Sequence, residues 1–389
     1  MKTTVLSELP VRPERYEKAH CDRVDYSTIF SQMSPIERRF INGLLRYYQP
    51  KRVLEIGVSR GGGTVNILNA LEDMPDTSLC SIDIIASDHC GIEAKTLFPD
   101  IPTSRWQLIE GCDTSKVVAK LAADGKFDFV VIDSMHLHPV ESLNFLSILP
   151  FLNEGTIVVL HDISVFVFPK ENGTNLAARI LYSSVVAEKL SPYYGDEIHE
   201  NSLQGITNIA AFQISTDTLK YIGNVFDGLY LPWEHYPFQY LDTVRALIAL
   251  HYSAENLEKF NEARGQNGAW LFSGKKTYSA EKLRVLYAEK FAIPTIFYGA
   301  GYHMRIFLGW LHELGIHFKA KIWDIAAETI GEINGVEIKS PDFKTKVTSS
   351  VAVITIEDAG IAASVRTKLE SLGYKVYHGV GEYLNGSPQ

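Results

Sequence analysis

Residues 52–64 read RVLEIGVSRGGGT, a short apolar run that passes directly into a glycine-rich turn. Glycine lacks a Cβ, so a turn of this composition bends sharply and lets another group approach the backbone closely. Residues 64–73, TVNILNALED, continue with the spacing of an amphipathic helix. The stretch therefore predicts a strand, a tight turn and a helix, the unit that opens a doubly wound α/β sheet with its turn facing a ligand.

The same alternation of strand-length apolar runs and helical segments continues along the chain. The further predicted strands are LCSIDII (79–85), WQLIEG (106–111), FDFVVID (127–133), TIVVLHDI (156–163) and TNIAAFQIS (207–215). Near-continuous apolar strands between helices indicate a mostly parallel sheet covered on both faces. We expect a Rossmann-like doubly wound sheet, with a helix over residues 175–190 before the last of these strands.

A second α/β rhythm begins at residues 295–301, TIFYGAG, and predicts a smaller Rossmann-like domain with a helix from Tyr302 to about Leu314. Asp324 ends its next strand, but Met304 stands where a dinucleotide-binding loop has its third glycine. Residues 216–288 have a mostly helical pattern. The predicted organisation is an N-terminal helical segment, a sheet domain, a helical linker or cap and a C-terminal accessory domain, at residues 1–50, 51–215, 216–290 and 291–389.

Composition excludes several classes of protein. The 389 residues are 46% hydrophobic and 21% charged, as in globular domains, and the net charge of −9 disfavours a nucleic-acid partner. No run approaches 18 consecutive apolar residues, so we expect no membrane insertion and a cytoplasmic location. The expected partner is a small-molecule or glycan substrate, and the sequence leaves open whether the chain forms a homo-oligomer.

Acidic residues and histidines follow the predicted strands at their carboxyl ends, where ligands bind in doubly wound sheets. Asp83 follows the second strand, and a carboxylate there accepts hydrogen bonds from the ribose hydroxyls of a nucleoside. Asp133 and His136 follow the fourth strand, and His161 and Asp162 end the fifth. Two carboxylates with imidazoles form either a divalent-metal site or an acid–base set.

The first loop resembles motif I of the class I S-adenosylmethionine (SAM)-dependent methyltransferases, through the pattern E-x-G-x-x-x-G at Glu55, Gly57 and Gly61. The resemblance implies that this loop binds the methionine part of SAM, with Thr64 near the carboxylate end. The alternative interpretation is that this loop is a tight turn between a strand and a helix and binds no ligand.

The same resemblance extends the cofactor-binding set to Ser59 in the loop and Ile84 beside Asp83. It also implies that Asp113 contacts the adenine. Asp113 equally suits the N-cap of a helix that begins near Ser115, and both interpretations stay open.

A narrower resemblance covers about residues 30–215 and rests on the segments 33–64, 127–163 and 207–214. These are similar to the bacterial methyltransferases grouped with cephalosporin hydroxylase-like and macrolide-sugar O-methyltransferases. The resemblance implies that Asp133 and Asp162 bind a divalent metal and that His136 acts as the general base.

His161 departs from this pattern, because the metal-dependent relatives carry an acidic residue at its position. Mg²⁺ prefers oxygen ligands, so a histidine here favours Mn²⁺ or a similar ion over Mg²⁺. A metal-free enzyme with His136 or His161 as the base is the alternative.

The sequence thus predicts a SAM-dependent methyltransferase that methylates a sugar hydroxyl of a nucleotide sugar, a surface glycan precursor or a glycosylated metabolite. One alternative is an NAD(P)-dependent sugar oxidoreductase or epimerase that uses the loop at residues 297–303. The other is a non-catalytic protein that binds SAM or a nucleotide sugar.

Overall fold

We analysed a computed structural model of the chain. The residues that it describes are 3–5, 21, 23–163, 177–192, 208–235, 237, 240–272, 293–301, 304, 307–308, 311, 317–318, 320–333, 336–356, 359–379 and 383. The chain divides into two compact units, the first comprising residues 1–235 and 242–260 and the second residues 236–241 and 261–389. Among the described residues, no helix is both long and apolar enough to span a membrane.

The first unit contains an eight-stranded sheet with the strand order β1-β7-β8-β6-β5-β2-β3-β4. Its strands are β1 (Thr3–Val5), β2 (Arg52–Ile56), β3 (Ser78–Ile82), β4 (Trp106–Ile109), β5 (Phe127–Ile132), β6 (Leu152–His161), β7 (Glu188–Ser191) and β8 (Ile209–Gln213). The strands from β2 to β6 pair in parallel, whereas β8 runs antiparallel to both β6 and β7. This order and direction confirm the predicted doubly wound α/β fold.

Helices alternate with these strands along the chain. They are α1 (Pro35–Tyr48), α2 (Gly62–Leu71), α3 (Ile92–Leu97), α4 (Thr114–Leu121), α5 (Val140–Ile148), α6 (Ala177–Ser184), α7 (Thr216–Lys220), α8 (Gly223–Gly228), α9 (Leu241–His251) and α10 (Ala254–Phe272). The helical pattern predicted for residues 216–288 is thus observed as far as Phe272, and the remainder lies outside the described residues.

The central strands are buried on both faces. In β5, the side chains of Phe129, Val130, Val131 and Ile132 are at most 1% exposed. This burial explains why β5 reads as an unbroken apolar run instead of an alternation of apolar and polar residues. The sheet edge at the carboxyl ends of β2, β3, β5 and β6 is the place where polar residues follow the strands.

A capping box begins helix α1. The Ser34 hydroxyl accepts a hydrogen bond from the Glu37 backbone N–H, and the Glu37 carboxylate accepts one from the Ser34 N–H. Pro35 occupies the first helical position, where its missing N–H costs nothing. Phe40, Leu44 and their neighbours on one face of α1 join the core of the first unit.

The helix predicted over residues 175–190 is only partly correct. Helix α6 ends at Ser184, and Glu188–Ser191 forms β7, in which Leu190 pairs with Ala211 of β8. Val185 and Val186 separate the two elements, and β-branched residues favour extended backbone. Pairing with β8 therefore outweighs the helical spacing of residues 187–190.

The second unit contains a six-stranded sheet with the order β11-β12-β10-β9-β13-β14, in which only the β11–β12 pair is antiparallel. Its elements are β9 (Thr295–Tyr298), β10 (Lys321–Trp323), α11 (Ala327–Ile330), β11 (Glu332–Ile333), β12 (Val336–Lys339), β13 (Ser350–Ile354), α12 (Ala359–Ser371) and β14 (Tyr374–His378). A second, smaller α/β sheet is thus observed where the sequence predicts it. Most of the helix predicted from Tyr302 to Leu314 lies outside the described residues.

Candidate active site

The glycine turn after β2 lies directly against the end of β5. Gly57 has a φ of +90°, and a Cβ on it would lie 1.9 Å from the backbone oxygen of Asp133. Gly61, with a φ of +95°, approaches the Cα of Gly91 in the same way. Both glycines allow two chain segments to approach each other closely, and their contact with a cofactor stays a prediction.

Glu55 and Thr64, both predicted to bind the cofactor, contact each other in the interior. The Glu55 carboxylate is 2% exposed and accepts hydrogen bonds from the hydroxyls of Thr64 at 2.8 Å and Ser81 at 2.6 Å. Burial raises the pKa of Glu55 to about 7, although both hydroxyls oppose the shift. Glu55 and Thr64 thus stabilise the loop from the protein interior. Their direct contact with a cofactor stays a prediction.

Asp83 at the end of β3 holds the glycine turn in place. Its Oδ2 accepts hydrogen bonds from the backbone N–H groups of Val58 and Ser59, each at 2.9 Å, and its Oδ1 accepts one from Ile85 at 2.8 Å. Ile84 is 39% exposed beside it. The predicted cofactor residues Asp83, Ser59 and Ile84 are thus brought together at one edge of the sheet.

Asp113 is the N-cap of α4. Its Oδ1 accepts a hydrogen bond from the Ser115 N–H at 2.8 Å, and the Ser115 hydroxyl donates to the same oxygen. The N-cap interpretation is therefore observed. The side chain is buried, which raises its pKa, and a contact with adenine stays a prediction.

Asp133, His136 and Asp162 meet at the ends of β5 and β6, as strand order predicts. The Nε2 atom of His136 lies 3.0 Å from Asp162 Oδ2 and 3.7 Å from Asp133 Oδ1. Both His136 and Asp162 have left-handed backbone conformations, with φ values of 60° and 57°. Strained backbone of this kind in a side-chain cluster is typical of functional sites.

His161 lies beneath this cluster and contacts three carboxylates, those of Asp133, Glu37 and, at 3.5 Å, Asp162. Its Nδ1 atom is 3.1 Å from Asp133 Oδ1, and its Nε2 atom is 3.6 Å from Glu37 Oε2. Burial opposes a charged imidazole, but the three carboxylates outweigh it and raise the pKa of His161 well above its usual value. The His161 charge in turn holds the pKa of Asp133 below its usual value against the effect of burial.

Three further polar residues support the cluster and were not predicted from the sequence. They are Glu37 from α1, Glu141 from the first turn of α5 and Asn208 just before β8. Glu141 Oε1 accepts hydrogen bonds from the His136 backbone N–H at 2.6 Å and from the Ser134 hydroxyl at 3.2 Å. The Asn208 amide donates to Asp162 Oδ1 at 2.5 Å.

The cluster has a donor set suited to a divalent metal ion. Asp133, His136 and Asp162 each offer one ligand atom, and these atoms all lie within 4.8 Å of one another. The three side chains are partly exposed, so an ion can reach them from solvent. His161, the residue that departs from the metal-dependent relatives, contacts Asp133 from the buried side and is not part of this group.

Residues 221–240 contain seven aromatic side chains, which could stack on a sugar if they were exposed, but most of those that the structure describes are part of the core. Phe226, Trp233 and Tyr240 are at most 4% exposed, whereas Tyr221 is 43% exposed. Tyr236 and Phe238 lie outside the described residues. The segment therefore does not form an open stacking surface over the residues that the structure describes.

The loop at residues 297–303 of the second unit is organised like the glycine turn of the first. Asp324 Oδ2 accepts a hydrogen bond from the Ala300 N–H at 2.6 Å, and its Oδ1 accepts one from Ala326 at 2.8 Å. Tyr302 and His303 lie outside the described residues, so the structure leaves a nucleotide site here untested.

The glycine turn and the acidic and imidazole groups lie together at the carboxyl ends of neighbouring strands, the edge at which doubly wound sheets bind ligands. Residues 54–163 match the model of a methyltransferase domain family. The match confirms the predicted enzyme class, a SAM-dependent methyltransferase, for this part of the chain. A comparison with curated proteins gives no match.

Solved structures with a similar fold include several O-methyltransferases. One is an O-methyltransferase from Klebsiella pneumoniae, at 16% identity and a TM-score of 0.37, covering 54% of this chain and 93% of that one. TomG from Streptomyces achromogenes, solved with SAM, has 18% identity and a TM-score of 0.37, with coverage of 54% and 94%. MycE, solved with Mg, S-adenosylhomocysteine (SAH) and mycinamycin VI, has 17% identity and a TM-score of 0.35, with coverage of 52% and 55%. The family match supports neither the oxidoreductase nor the non-catalytic alternative.

Proposed function

We propose that residues 51–215 form a SAM-dependent O-methyltransferase domain whose acceptor is a sugar hydroxyl. The observation that carries this proposal is the position of two groups of residues at one sheet edge. The glycine turn held by Asp83 approaches the backbone of Asp133, which also belongs to the Asp133–His136–Asp162 cluster. Residues 1–50, 216–290 and 291–389 are then the N-terminal segment, a helical cap and an accessory domain.

This arrangement suits methyl transfer because the reaction needs little beyond positioning and the loss of one proton. The sulfonium of SAM is an activated leaving group, so the protein must align the acceptor oxygen in line with the methyl group. The acceptor hydroxyl loses its proton as the new O–CH₃ bond forms. A cluster of carboxylates and an imidazole beside the cofactor turn makes this loss favourable.

Asp133 and Asp162 would hold a divalent ion, which supplies a positive charge that lowers the pKa of the acceptor hydroxyl. The chain's own residues prepare these carboxylates for that task. The His161 ring contacts Asp133 and the Asn208 amide contacts Asp162, so neither carboxylate can turn away freely. His136 lies between the two acidic side chains and is the third reactive group.

The resemblance to macrolide-sugar O-methyltransferases suggests a sugar hydroxyl as the acceptor. The negative charge of the site also favours a neutral hydroxyl. Carboxylates accept hydrogen bonds, so neutral hydroxyl donors suit Asp133 and Asp162. An anionic group on the acceptor, such as a phosphate, would have to lie away from these carboxylates because like charges repel. A nucleotide sugar, a surface glycan precursor and a glycosylated metabolite can each offer a neutral sugar hydroxyl with any anionic group placed away from these carboxylates.

The test is SAH formation with SAM and a panel of sugar acceptors. The expected result is turnover by the wild type and loss of turnover in His136→Ala, with SAH binding retained. His317→Ala, at an exposed histidine of the second unit, is the control and should keep full activity. Transfer to a phenolic acceptor and to no sugar would contradict the proposed acceptor class.

A further inference from the structure

The ligand atoms of the Asp133–His136–Asp162 cluster have the spacing that one bound ion requires. His136 Nε2 lies 3.0 Å from Asp162 Oδ2 and 3.7 Å from Asp133 Oδ1. Ligands held at right angles by bonds of about 2.1 Å lie about 3 Å apart, and wider angles increase that distance. The imidazole nitrogen thus lies where a third ligand would be.

Each of the three side chains also has a polar neighbour outside the group of three. Asn208 donates to Asp162 Oδ1 and leaves Oδ2 facing His136. His161 contacts Asp133 at 3.1 Å. Metal ligands in proteins are commonly oriented by such hydrogen-bonded partners, which raise the affinity for the ion.

Glu141 provides the corresponding partner for His136. The carboxylate is 1% exposed, and its Oε1 accepts the His136 backbone N–H and lies 3.9 Å from the His136 Nδ1 atom. His136 Nδ1 is buried and has no hydrogen-bond partner among the residues that the structure describes. An ion bound through Nε2 requires the lone pair of that atom and therefore places the ring proton on Nδ1, where the Glu141 carboxylate favours it.

We propose that His136 binds the divalent ion through Nε2, as a third ligand beside Asp133 and Asp162, and that Glu141 is the positioning residue that orients His136. The proposal rests on the proposed function, because the ion serves the same acceptor site. It differs from the family resemblance, which implies that His136 is a general base.

The donor set also selects among ions. Mg²⁺ prefers oxygen ligands in near-octahedral geometry, whereas imidazole nitrogen suits transition ions such as Mn²⁺. The site therefore binds Mn²⁺ more tightly than Mg²⁺.

Calorimetric titration of the full chain with Mn²⁺ and with Mg²⁺, without SAM or acceptor, measures this preference. Glu141→Gln should weaken Mn²⁺ binding by about 10- to 100-fold, the usual effect of losing such a partner. The matched control is Glu234→Gln, because Glu234 Oε2 accepts the backbone N–H of His138 at 2.9 Å in the same loop. This control should bind Mn²⁺ like the wild type.

Pulsed electron paramagnetic resonance of the bound Mn²⁺ tests the ligand directly. The wild type should show modulation from a coordinated nitrogen, and His136→Ala should lose it. Absence of nitrogen modulation in the wild type, unchanged Mn²⁺ affinity in Glu141→Gln, or no Mn²⁺ binding at millimolar concentration would each overturn the inference. SAH titration of the same proteins separates the two proposals, since SAH binding without Mn²⁺ binding refutes only the metal site.

Discussion

Glu55 is a carboxyl group in the interior whose protonation affects stability. Burial raises its pKa to about 7 from an ordinary value of 4.5, so the folded chain holds the proton more tightly than the unfolded chain does. The stabilisation from this proton is complete below pH 4.5 and is lost as the pH rises through about 7.

We therefore expect Glu55→Gln to flatten the pH dependence of the unfolding free energy between these values. The difference from the wild type should reach about 3 kcal/mol across the window. Glu141 titrates in the same range for the same reason, so the variant keeps a residual slope. Chemical denaturation at a series of pH values measures the effect, and parallel curves for the two proteins would refute it.

Gly57 tests whether the close approach of the glycine turn to Asp133 is essential. A Cβ at Gly57 would lie 1.9 Å from the Asp133 backbone oxygen, whereas a Cβ at Gly155 meets nothing closer than 3.9 Å. Both glycines have nearly the same φ, +90° and +88°. Gly155→Ala should thus lose about 1–2 kcal/mol for the left-handed backbone, and Gly57→Ala about 1–3 kcal/mol more.

Denaturant unfolding of the two glycine variants measures this difference. Gly57→Ala should also weaken SAH binding, because the turn cannot keep its place against β5. Equal stabilities for the two variants would contradict the role of the close approach.

At the residue scale, the ends of the predicted strands indicated the Asp133–His136–Asp162 cluster but not the polar residues that contact it. Asp133, His136 and Asp162 follow two strands that are neighbours in the sheet, so the sequence pattern alone brings them together. Glu141 lies five residues after His136, in the first turn of a helix. Acidic residues are favoured at the start of any helix, so this position did not indicate a role at the site. Asn208 reaches the site only through the antiparallel pairing of β8, which sequence spacing does not encode.

Helix α1 connects its own N-terminal cap to the candidate site. Glu37 completes the capping box with Ser34, and the same carboxylate oxygen lies 3.6 Å from His161 Nε2. We expect Ser34→Ala to lower the unfolding free energy by about 1 kcal/mol, since one backbone donor loses its acceptor. Thermal unfolding of the variant measures the loss, and an unchanged stability would show that the box contributes nothing.

The elements themselves were predicted best where strands are fully buried. Strands β2, β3, β5 and β6 each end in at least four consecutive buried residues, and the mostly apolar runs that correspond to them have the length of buried strands. In strand β7, Glu188 is exposed, the next two residues are buried and Ser191 is half-buried. This pattern also fits the end of a helix. Only the pairing with β8 distinguishes these two structures.

At the scale of the whole molecule, the chain divides into two compact units. The first unit comprises residues 1–235 and 242–260, and within it Glu37 contacts His161 and Glu234 accepts a hydrogen bond from the His138 backbone. Helical periodicity at residues 35–48 and 216–235 gave no sign that these segments share a unit with the sheet.

The second unit should be dispensable for cofactor binding. Asp324 accepts hydrogen bonds from Ala300 and Ala326 within its own unit, so Asp324→Ala should destabilise that unit by about 2 kcal/mol. All predicted cofactor residues lie in the first unit, and SAH affinity should stay unchanged. Denaturant unfolding and SAH titration of the variant give the two readouts, and a large loss of SAH affinity would contradict this independence.

Calorimetric titration of the full chain with SAH, with and without a divalent ion, tests the methyltransferase assignment most directly because it needs no knowledge of the acceptor. Asp83→Ala is the decisive variant, since Asp83 holds the glycine turn through Val58 and Ser59 and is the predicted ribose ligand. We predict micromolar SAH binding by the wild type and its loss in Asp83→Ala. No SAH binding by the wild type under either condition would contradict the account.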